Sequence, residues 1–336
     1  MSSLGVVVIG RNEGERLRAC LQSVVGSADI VVYVDSGSTD GSLELARSMG
    51  ALVIELDQAT AFTAARARNA GLTRLQNAAP AIELVQFVDG DCEVDPHWLQ
   101  RAEREIRADG RLAVVCGRRR ERHPEASIYN RLCDFEWDTP IGQADACGGD
   151  ALMRVEAVKA VGGYDDSLIA GEEPDLCLRM RRLDWRVLRI DAEMTVHDAA
   201  LTRFGQWWKR NVRAGHAYAE GAALHGRRAE RHWVRETRSN WFWGACVPAV
   251  AVGSAPVTAG LSLALLGAYG ALGARIYLSA RRRGMRPENA RLFATFCVIG
   301  KLPQALGQGV YWFRRATGRS GRIIEYKGQG AGAAQL

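Results

Sequence analysis

Strand-like and helix-like segments alternate along the first 90 residues, and this alternation constrains the fold more than any other feature of the sequence. Short apolar runs rich in β-branched residues occupy residues 4–9, 30–34, 52–56 and 83–88. Segments with helical spacing of apolar residues separate them at 13–25, 42–49 and 61–75. Short connections in such an order are typical of a sheet covered by helices, so we expect an α/β fold with a mostly parallel sheet flanked by helices.

Ligands of such sheets bind at the carboxyl ends of the strands, so the polar segments that follow the strands are candidate sites. The first segment is Gly10-Arg11-Asn12-Glu13. In one interpretation, the N-terminus of the following helix faces an anion, and Arg11 and Glu13 can reach the ligand. In the other, Asn12 only caps the helix. The second segment begins at Asp35, whose carboxylate can accept hydrogen bonds from a ribose or a base; a turn that only caps the next helix is the alternative.

The fourth strand ends in Asp89-Gly90-Asp91. Two carboxylates one residue apart at a strand end can converge on one ion, and the glycine between them removes a side chain that would crowd a ligand. Hard divalent cations prefer carboxylate and phosphate oxygens, so the pair predicts a cation that stabilises a departing diphosphate. A turn rich in Asp and Gly with no ligand is the alternative.

A cluster of carboxylates opens an Arg-rich helix near residue 174, where Glu172, Glu173 and Asp175 lie within four positions. Acids at a helix N-terminus are stabilised by the helix dipole, which is one explanation of the cluster. The other is a general base for an acceptor hydroxyl, because a carboxylate near others resists ionisation. His197 follows the last strand of this region and is either structural or a metal ligand.

The composition changes after residue 238. Residues 241–274 contain no charged side chain, and a basic run follows at 281–283. The apolar stretch exceeds one membrane span, so we expect one span or a hairpin that dips into the bilayer, with a buried hairpin of a soluble domain as the alternative. A second apolar stretch, 292–313, is interrupted by Lys301 and Pro303 and suits an interfacial helix.

The formal net charge is +6, and Arg is concentrated in several clusters, one of them at 118–122. Clusters beside apolar segments favour anionic lipid as the partner. Nucleic acid is excluded, because the basic runs lack interleaved base-stacking aromatic residues on a recognisable module. No secretory signal precedes the first apolar run, so the N-terminal part is expected to remain in the cytosol.

In this order, the motifs resemble those of the inverting family 2 glycosyltransferases, which have a GT-A fold. The segments that carry the resemblance are 7–13, 34–41, Ala67-Arg68-Asn69-Ala70-Gly71, Asp89-Gly90-Asp91, Cys147-Gly148-Gly149-Asp150, 161–165 and Glu172-Glu173-Pro174-Asp175-Leu176. The resemblance covers roughly residues 4–200. The chain departs from the family pattern at Gly10-Arg11, where Pro-Thr is usual, at Ser36, where a second acid is usual, and at Glu173, where Asp is usual.

The resemblance implies roles for the donor side. Asp35 would contact the uracil or ribose, and Arg68 would lie near the nucleotide, together with Arg11, Asn12 and Glu13. In the Asp89-Gly90-Asp91 turn, Asp91 would hold Mn²⁺ or Mg²⁺, with Asp89 beside the ribose. Asp89 is also a predicted metal ligand, and Gly90 is predicted to bind the nucleotide-sugar. Apart from the resemblance, the neutral imidazole of His197 could complete the metal site.

The resemblance also implies roles for the acceptor side. Gly149 and Asp150 would belong to the acceptor region. Glu172 or Glu173 would be the catalytic base, with Asp175 in the same catalytic element. The longer side chain at 173 leaves the choice of base between the two glutamates open.

We therefore expect a metal-dependent inverting glycosyltransferase that moves a sugar from a nucleotide-sugar, with UDP-sugar favoured, to a lipid-linked or membrane-proximal glycan. The expected location is the cytoplasmic face of the cell membrane, in polysaccharide biosynthesis. Alternatives are a polyprenyl-phosphate glycosyltransferase, a nucleotidyltransferase, and a noncatalytic nucleotide-sugar-binding membrane adaptor. The expected domains are a catalytic domain at 1–238 (nucleotide-binding half about 1–115, acceptor half about 116–238), a membrane-associated helical region at 239–320, and a tail at 321–336.

Overall fold

The computed structural model of the protein describes residues 4–60 and 62–318. The described chain forms two compact units, of which the first ends at Ala200 and the second begins at Leu201. The predicted catalytic domain, 1–238, thus extends into the second unit, and its two functional halves stay predictions. The predicted tail, 321–336, lies outside the described residues.

The first unit is built on one sheet, which has nine strands in the described residues. These strands are β1 (Leu4–Gly10), β2 (Ile30–Asp35), β3 (Leu52–Glu55), β4 (Leu84–Asp89), β5 (Cys92–Val94), β6 (Leu112–Glu121), β7 (Gly142–Gln143), β8 (Ala151–Arg154) and β9 (Arg186–His197). They lie in the order β3-β2-β1-β4-β8-β6-β9-β5, with β7 also paired to β9.

The sheet is mixed, which corrects the prediction of a mostly parallel sheet. The pairs among β1, β2, β3 and β4 are parallel, as is the pair of β6 with β9. In contrast, β8 runs antiparallel to β4 and β6, and both β5 and β7 run antiparallel to β9. The sequence did not indicate β5, β7 and β8 because strands of two to four residues are too short to show a periodicity.

Seven helices belong to the described part of the first unit: α1 (Glu15–Val24), α2 (Ser42–Ser48), α3 (Ala64–Ala78), α4 (Trp98–Ala108), α5 (Ile128–Trp137), α6 (Val155–Ala160) and α7 (Glu172–Arg181). The predicted helices α1, α2, α3 and α7 are confirmed, whereas the patterns described above give no helix for α4 and α5. Helix α3 begins at a side-chain cap, in which the Thr63 hydroxyl accepts the Arg66 N–H at 3.1 Å.

Small residues bring α3 onto the sheet. A Cβ added to Gly71 would lie 2.3 Å from a methyl carbon of Val7 on β1, so only glycine permits this approach. Because β1 is buried along almost its whole length, helices and strands together enclose a continuous apolar core. The close approach also fixes the position of Arg68, one turn earlier on α3.

The described part of the second unit is helical. Its helices are α8 (Phe204–His225), α9 (Val234–Trp241), α10 (Val247–Gly253), α11 (Ala268–Arg282), α12 (Pro287–Ile299) and α13 (Lys301–Thr317), with a π-helical turn at Phe242–Cys246 and a 3₁₀ segment at Leu261–Gly267. Helices α8 and α13 pack closely through glycine. A Cβ on Gly215 would lie 2.0 Å from the Gln304 carbonyl oxygen, and one on Gly307 would lie 1.9 Å from that of Val212.

The apolar stretch predicted at 241–274 is divided among several of these helical segments. Among the described residues, one helix, Leu261–Arg282, is long and apolar enough to cross a membrane by length and composition, and it is not buried. The stretch predicted to form an interfacial helix, 292–313, covers the end of α12 and most of α13, which meet at Gly300.

Candidate active site

The register of the parallel strands places three of the predicted segments side by side. Gly10 pairs with Asp35, and Ile9 pairs with Asp89. The Gly90 N–H donates to the Ile9 carbonyl at 2.8 Å, and a Cβ on Gly90 would lie 3.1 Å from that oxygen. Glycine therefore allows the Asp-Gly-Asp turn to pack directly against β1 at the carboxyl edge of the sheet.

Arg68 joins the acid at the end of β4 to the acids that open α7. Its Nη2 lies 3.0 Å from Asp89 Oδ1, and its Nη1 lies 3.0 Å from a carboxylate oxygen of Glu172 and of Glu173. The side chain is 2% exposed, and the guanidinium lies 5.5 Å from the centre of the Tyr164 ring. One buried cation thus links carboxylates that are more than 80 residues apart in sequence.

This arrangement gives the two ends of the cluster different proton affinities. Burial alone raises the pKa of Asp89, but Arg68 and Arg119 outweigh it and hold that pKa below its ordinary value. Burial, followed by the neighbouring Glu172, raises the pKa of Glu173 to about 7 against the opposing effect of Arg68. Asp89 is therefore ionised at neutral pH, whereas Glu173 can take up a proton there, as a general base must.

Asp91, Cys92 and His197 form a buried cluster whose ligand atoms all lie within 4.8 Å of one another. His197 Nε2 is 3.3 Å from Asp91 Oδ2. Burial raises the pKa of the Cys92 thiol well above its ordinary value. Its sulfur is also a soft donor, whereas Mn²⁺ and Mg²⁺ prefer hard oxygen ligands. The remaining carboxylate and imidazole suit Mn²⁺ or Mg²⁺, and the residues present therefore fit the predicted cation, with Asp91 and His197 to hold it.

Arg119 is a site residue that belongs to none of the sequence motifs. We assigned the cluster 118–122 to lipid, but Arg119 Nη2 lies 3.1 Å from Asp89 Oδ2 and its Nε lies 3.4 Å from Asp150 Oδ2. Its guanidinium lies 5.0 Å from the centre of the Trp137 ring. The lipid interpretation of Arg119 is thus corrected. The sequence contained one signal for this position. Arg119 follows a buried apolar run on the same strand, and alternate side chains of such a strand point into the fold.

Asp150 and Gly149 lie directly behind Asp89. Asp150 is fully buried, accepting the Asp89 backbone N–H at 3.0 Å and the Thr195 hydroxyl at 2.7 Å. A Cβ on Gly149 would lie 2.7 Å from both Arg68 Nη2 and Asp89 Oδ2. These contacts support the Asp89 side of the site, while the acceptor-side role assigned to both residues stays a prediction.

The residues predicted for the nucleotide loops are bound largely to one another. Asp35 is buried, and its carboxylate accepts the Tyr33 hydroxyl at 2.9 Å and the Gly37 and Ser38 N–H groups at 2.8 Å each. Asn12, with φ at 56°, accepts the Thr39 N–H through its side chain at 2.7 Å. Asp35 and Asn12 thus shape the two loops, and their contacts with a nucleotide stay predictions.

The other predicted residues lie around these loops and on α7. Arg11 is exposed, and Glu13 forms an ion pair with Arg16 at 2.8 Å. Asp175 is bound by Arg179 at 2.7 Å, and Arg179 in turn donates to the Val161 and Gly163 carbonyls. Asp175 therefore anchors α7 to the preceding turn, while its catalytic role stays a prediction.

Known proteins are similar to this chain in sequence and in fold. Residues 5–162 match the model of the family described as "Glycosyl transferase family 2". The protein is a glycosyltransferase. It is 25% identical over 228 residues to glycosyltransferase AglE of Haloferax volcanii, across 63% of this chain and 71% of AglE. It is 26% identical over 211 residues to succinoglycan biosynthesis protein ExoA of Rhizobium meliloti, across 57% of this chain and 62% of ExoA.

Among solved structures, the glycosyltransferase is similar to mannosyltransferase PcManGT from Pyrobaculum calidifontis, which was solved in complex with GDP-Man and Mn²⁺. The TM-score is 0.59 at 17% sequence identity, and the similarity covers 90% of this chain and 87% of PcManGT. At this identity the similarity establishes the GT-A-like α/β fold.

Proposed function

We propose that the protein transfers a sugar from a nucleotide-sugar to a hydroxyl group of a lipid-linked or membrane-proximal glycan, with inversion at the anomeric carbon and with a divalent cation. The observation that carries the proposal is the Arg68 bridge. The buried guanidinium of Arg68 contacts Asp89, the acid near the proposed metal ligands. The same guanidinium contacts both candidate bases, Glu172 and Glu173. An inverting displacement needs both parts, a stabilised leaving group and a base for the incoming hydroxyl.

Glu173 is the better of the two candidate bases. Its side chain is 14% exposed against 6% for Glu172, and its pKa is raised to about 7. In the proposed reaction Glu173 takes the proton of the acceptor hydroxyl as that oxygen attacks the anomeric carbon. The bond from this carbon to the diphosphate oxygen breaks on the opposite face, and the electron pair leaves with the nucleoside diphosphate.

Asp91 and His197 would hold the cation. When bound, a divalent cation supplies positive charge that stabilises the departing diphosphate. Arg119 holds the other oxygen of Asp89 and fixes that carboxylate between two guanidinium groups. Asp89 is thereby oriented before a ligand arrives, which lowers the cost of organising the site during the reaction.

The second unit supports a location at the cytoplasmic face of the membrane. Residues 201–318 contain 18 Lys and Arg but four Asp and Glu. Large apolar side chains are exposed along the same unit, including Val257 at 86% and Leu261 at 79%. Exposed apolar surface flanked by cations suits a bilayer with anionic headgroups. The relative ExoA is a succinoglycan biosynthesis protein, which supports a role in glycan assembly.

A donor screen with purified full-length protein tests the proposal. UDP-, GDP- and dTDP-sugars are incubated with Mn²⁺ or with EDTA, and nucleoside diphosphate release is measured. We expect release from one donor class with Mn²⁺ and loss of release with EDTA or in Asp91→Ala. Asp145→Ala is the matched control, because its side chain is 94% exposed.

The outcome separates the alternatives. Release of pyrophosphate would indicate a nucleotidyltransferase, and binding of donors with no turnover would indicate an adaptor. With a turned-over donor, product mass distinguishes a sugar on a lipid phosphate from an extended glycan. Full activity of Asp91→Ala in EDTA would refute the metal-dependent reaction.

A further inference from the structure

His197 lies between two side chains that the sheet register brings beside it. On one side, β5 pairs Cys92 with His197, and on the other, β6 pairs Glu121 with His197. The two ring nitrogens each face a carboxylate. Nε2 is 3.3 Å from Asp91 Oδ2, and Nδ1 is 4.0 Å from Glu121 Oε2.

Glu121 is held rigidly in this position. The residue is 5% exposed, and its Oε2 accepts the Ala199 N–H at 3.0 Å. Its Oε1 accepts the Asn130 side-chain N–H at 3.0 Å and the His123 N–H at 3.1 Å. A carboxylate with donors on both oxygens keeps its orientation, so the oxygen facing His197 does not depend on a flexible side chain.

The ring of His197 has one polar atom still to be satisfied. The residue is 6% exposed, and its Nδ1 is buried without a hydrogen-bond partner among the described residues. Trp137 packs edge-on against the imidazole, with ring centroids 4.7 Å apart. Because buried polar nitrogens in folded proteins are nearly always hydrogen-bonded, the Glu121 oxygen is the acceptor that a small ring movement would reach.

We propose that Glu121 is a positioning residue for the metal site: it accepts the Nδ1–H of His197 and so leaves the Nε2 lone pair directed at a cation shared with Asp91. A histidine that binds a metal commonly donates its other N–H to a carboxylate, which fixes the tautomer and the ring orientation. This inference rests on the proposed metal-dependent function and adds a residue that would not touch the metal, donor or acceptor.

Mn²⁺ affinity tests the inference without a turnover assay. Free Mn²⁺ is measured by electron paramagnetic resonance in titrations of full-length protein and its variants. In Glu121→Gln, the two N–H donors on Oε1 should hold the amide oxygen there and turn the amide NH₂ group, which cannot accept a hydrogen bond, toward His197 Nδ1. We therefore expect Mn²⁺ binding to weaken by about 10- to 100-fold, the usual effect of losing such a partner. Glu193→Gln is the matched control. Its carboxylate lies on β9, the strand that carries His197, but it is exposed and paired with Arg120, so the Mn²⁺ affinity of this variant should equal that of the wild type.

Nitrogen NMR of the wild type tests the same inference independently of any folding defect in the variant. The chain has six histidines, so ¹⁵N-histidine labelling with His197→Ala for assignment isolates one ring. In protein loaded with Mg²⁺ and a nucleoside diphosphate, we expect Nδ1 of His197 to carry the proton and Nε2 to be unprotonated. A protonated Nε2 in that sample, or an unchanged Mn²⁺ affinity in folded Glu121→Gln, would overturn the inference.

Failure of the proposed function gives a different result. If wild-type protein binds no Mn²⁺ with or without nucleotide, the metal site itself is refuted, and the role of Glu121 falls with it. If wild-type protein and Glu193→Gln bind Mn²⁺ and Glu121→Gln binds it equally well, the metal site stands and the positioning role alone is refuted.

Discussion

The two units of the protein use charge in opposite ways. Residues 1–200 contain 33 Asp and Glu against 23 Lys and Arg, whereas residues 201–318 contain four against 18. In the first unit, charged side chains such as Arg68 and Glu172 are buried and paired with one another. In the second, arginines flank the apolar stretches at 281–283, 291 and 314–315. Large apolar side chains are exposed in the same unit.

The difference supports separate roles for the two units, with catalysis in the first and membrane binding in the second. Buried ion pairs cost desolvation energy and contribute little net stability, so a cluster of them at a sheet edge is better explained by chemistry than by folding. Exposed apolar surface on a basic unit supports the proposed lipid partner. Changes confined to one unit should therefore alter one property and leave the other intact.

The largest expected effect is on transfer, from Glu173→Gln. This change keeps the shape of the side chain but removes the proton acceptor, so we expect sugar transfer to fall about 10²- to 10⁴-fold. Pelleting with anionic liposomes should be unchanged. Transfer is measured by product formation from labelled donor, with the exposed Glu156→Gln as the control. Wild-type transfer rates in Glu173→Gln would assign the base elsewhere, with Glu172 as the next candidate.

The next effect concerns the membrane and comes from Ala271→Arg, near the centre of the Leu261–Arg282 helix. An arginine at the centre of a membrane helix costs about 3 kcal/mol, which corresponds to a roughly 100-fold weaker partition into liposomes. Donor hydrolysis in solution should persist. Leu183→Arg, at an exposed apolar position of the first unit, is the control. Equal liposome binding of both variants would show that this helix does not contribute to membrane association.

A smaller effect is expected within the first unit from Gly149→Ala. The added Cβ would meet the ends of the Arg68 and Asp89 side chains at 2.7 Å. Because flexible side-chain ends can move, the fold should survive, but displacement of the ion pair should reduce transfer by about tenfold, less than a full 1 Å misplacement costs. The thermal midpoint should stay close to that of the wild type.

The control for this change is the neighbouring glycine. A Cβ on Gly148 meets no atom within 4 Å, so Gly148→Ala should transfer sugar at the wild-type rate. If Gly149→Ala and Gly148→Ala have the same rate, the Arg68–Asp89 contact is not needed for transfer.

Much of the first unit could be predicted from sequence because its strands and helices are long enough to show a period. The segments ending in Asp35 and Asp89 were confirmed as parallel strands on either side of β1, and both end at the carboxyl edge of the sheet. Strands β5, β7 and β8 could not be predicted, since each has four residues or fewer, and their antiparallel pairing made the sheet mixed.

The sequence motifs predicted the acidic residues of the candidate site but not the side chains that contact them. Arg119 and Glu121 lie on β6, and only the register of β6 with β9 brings them to Asp89 and His197. Such contacts depend on long-range pairing, so the local sequence does not show which side chains Arg119 and Glu121 contact. The proposed role of Arg68 likewise depends on a long-range contact, because Arg68 and Glu172 are more than 100 positions apart in sequence.

The central claim is that Arg68 couples the donor side to the base, and the pH dependence of single-turnover transfer tests it directly. A base must be ionised to accept a proton, so the wild-type rate should fall as the pH drops below about 7, the pKa of Glu173. Arg68 opposes that rise in pKa. Removing its charge in Arg68→Gln should therefore move the acid limb to higher pH, whereas Arg68→Lys should leave it near the wild-type position. An acid limb at the same pH in Arg68→Gln and the wild type would contradict the claim.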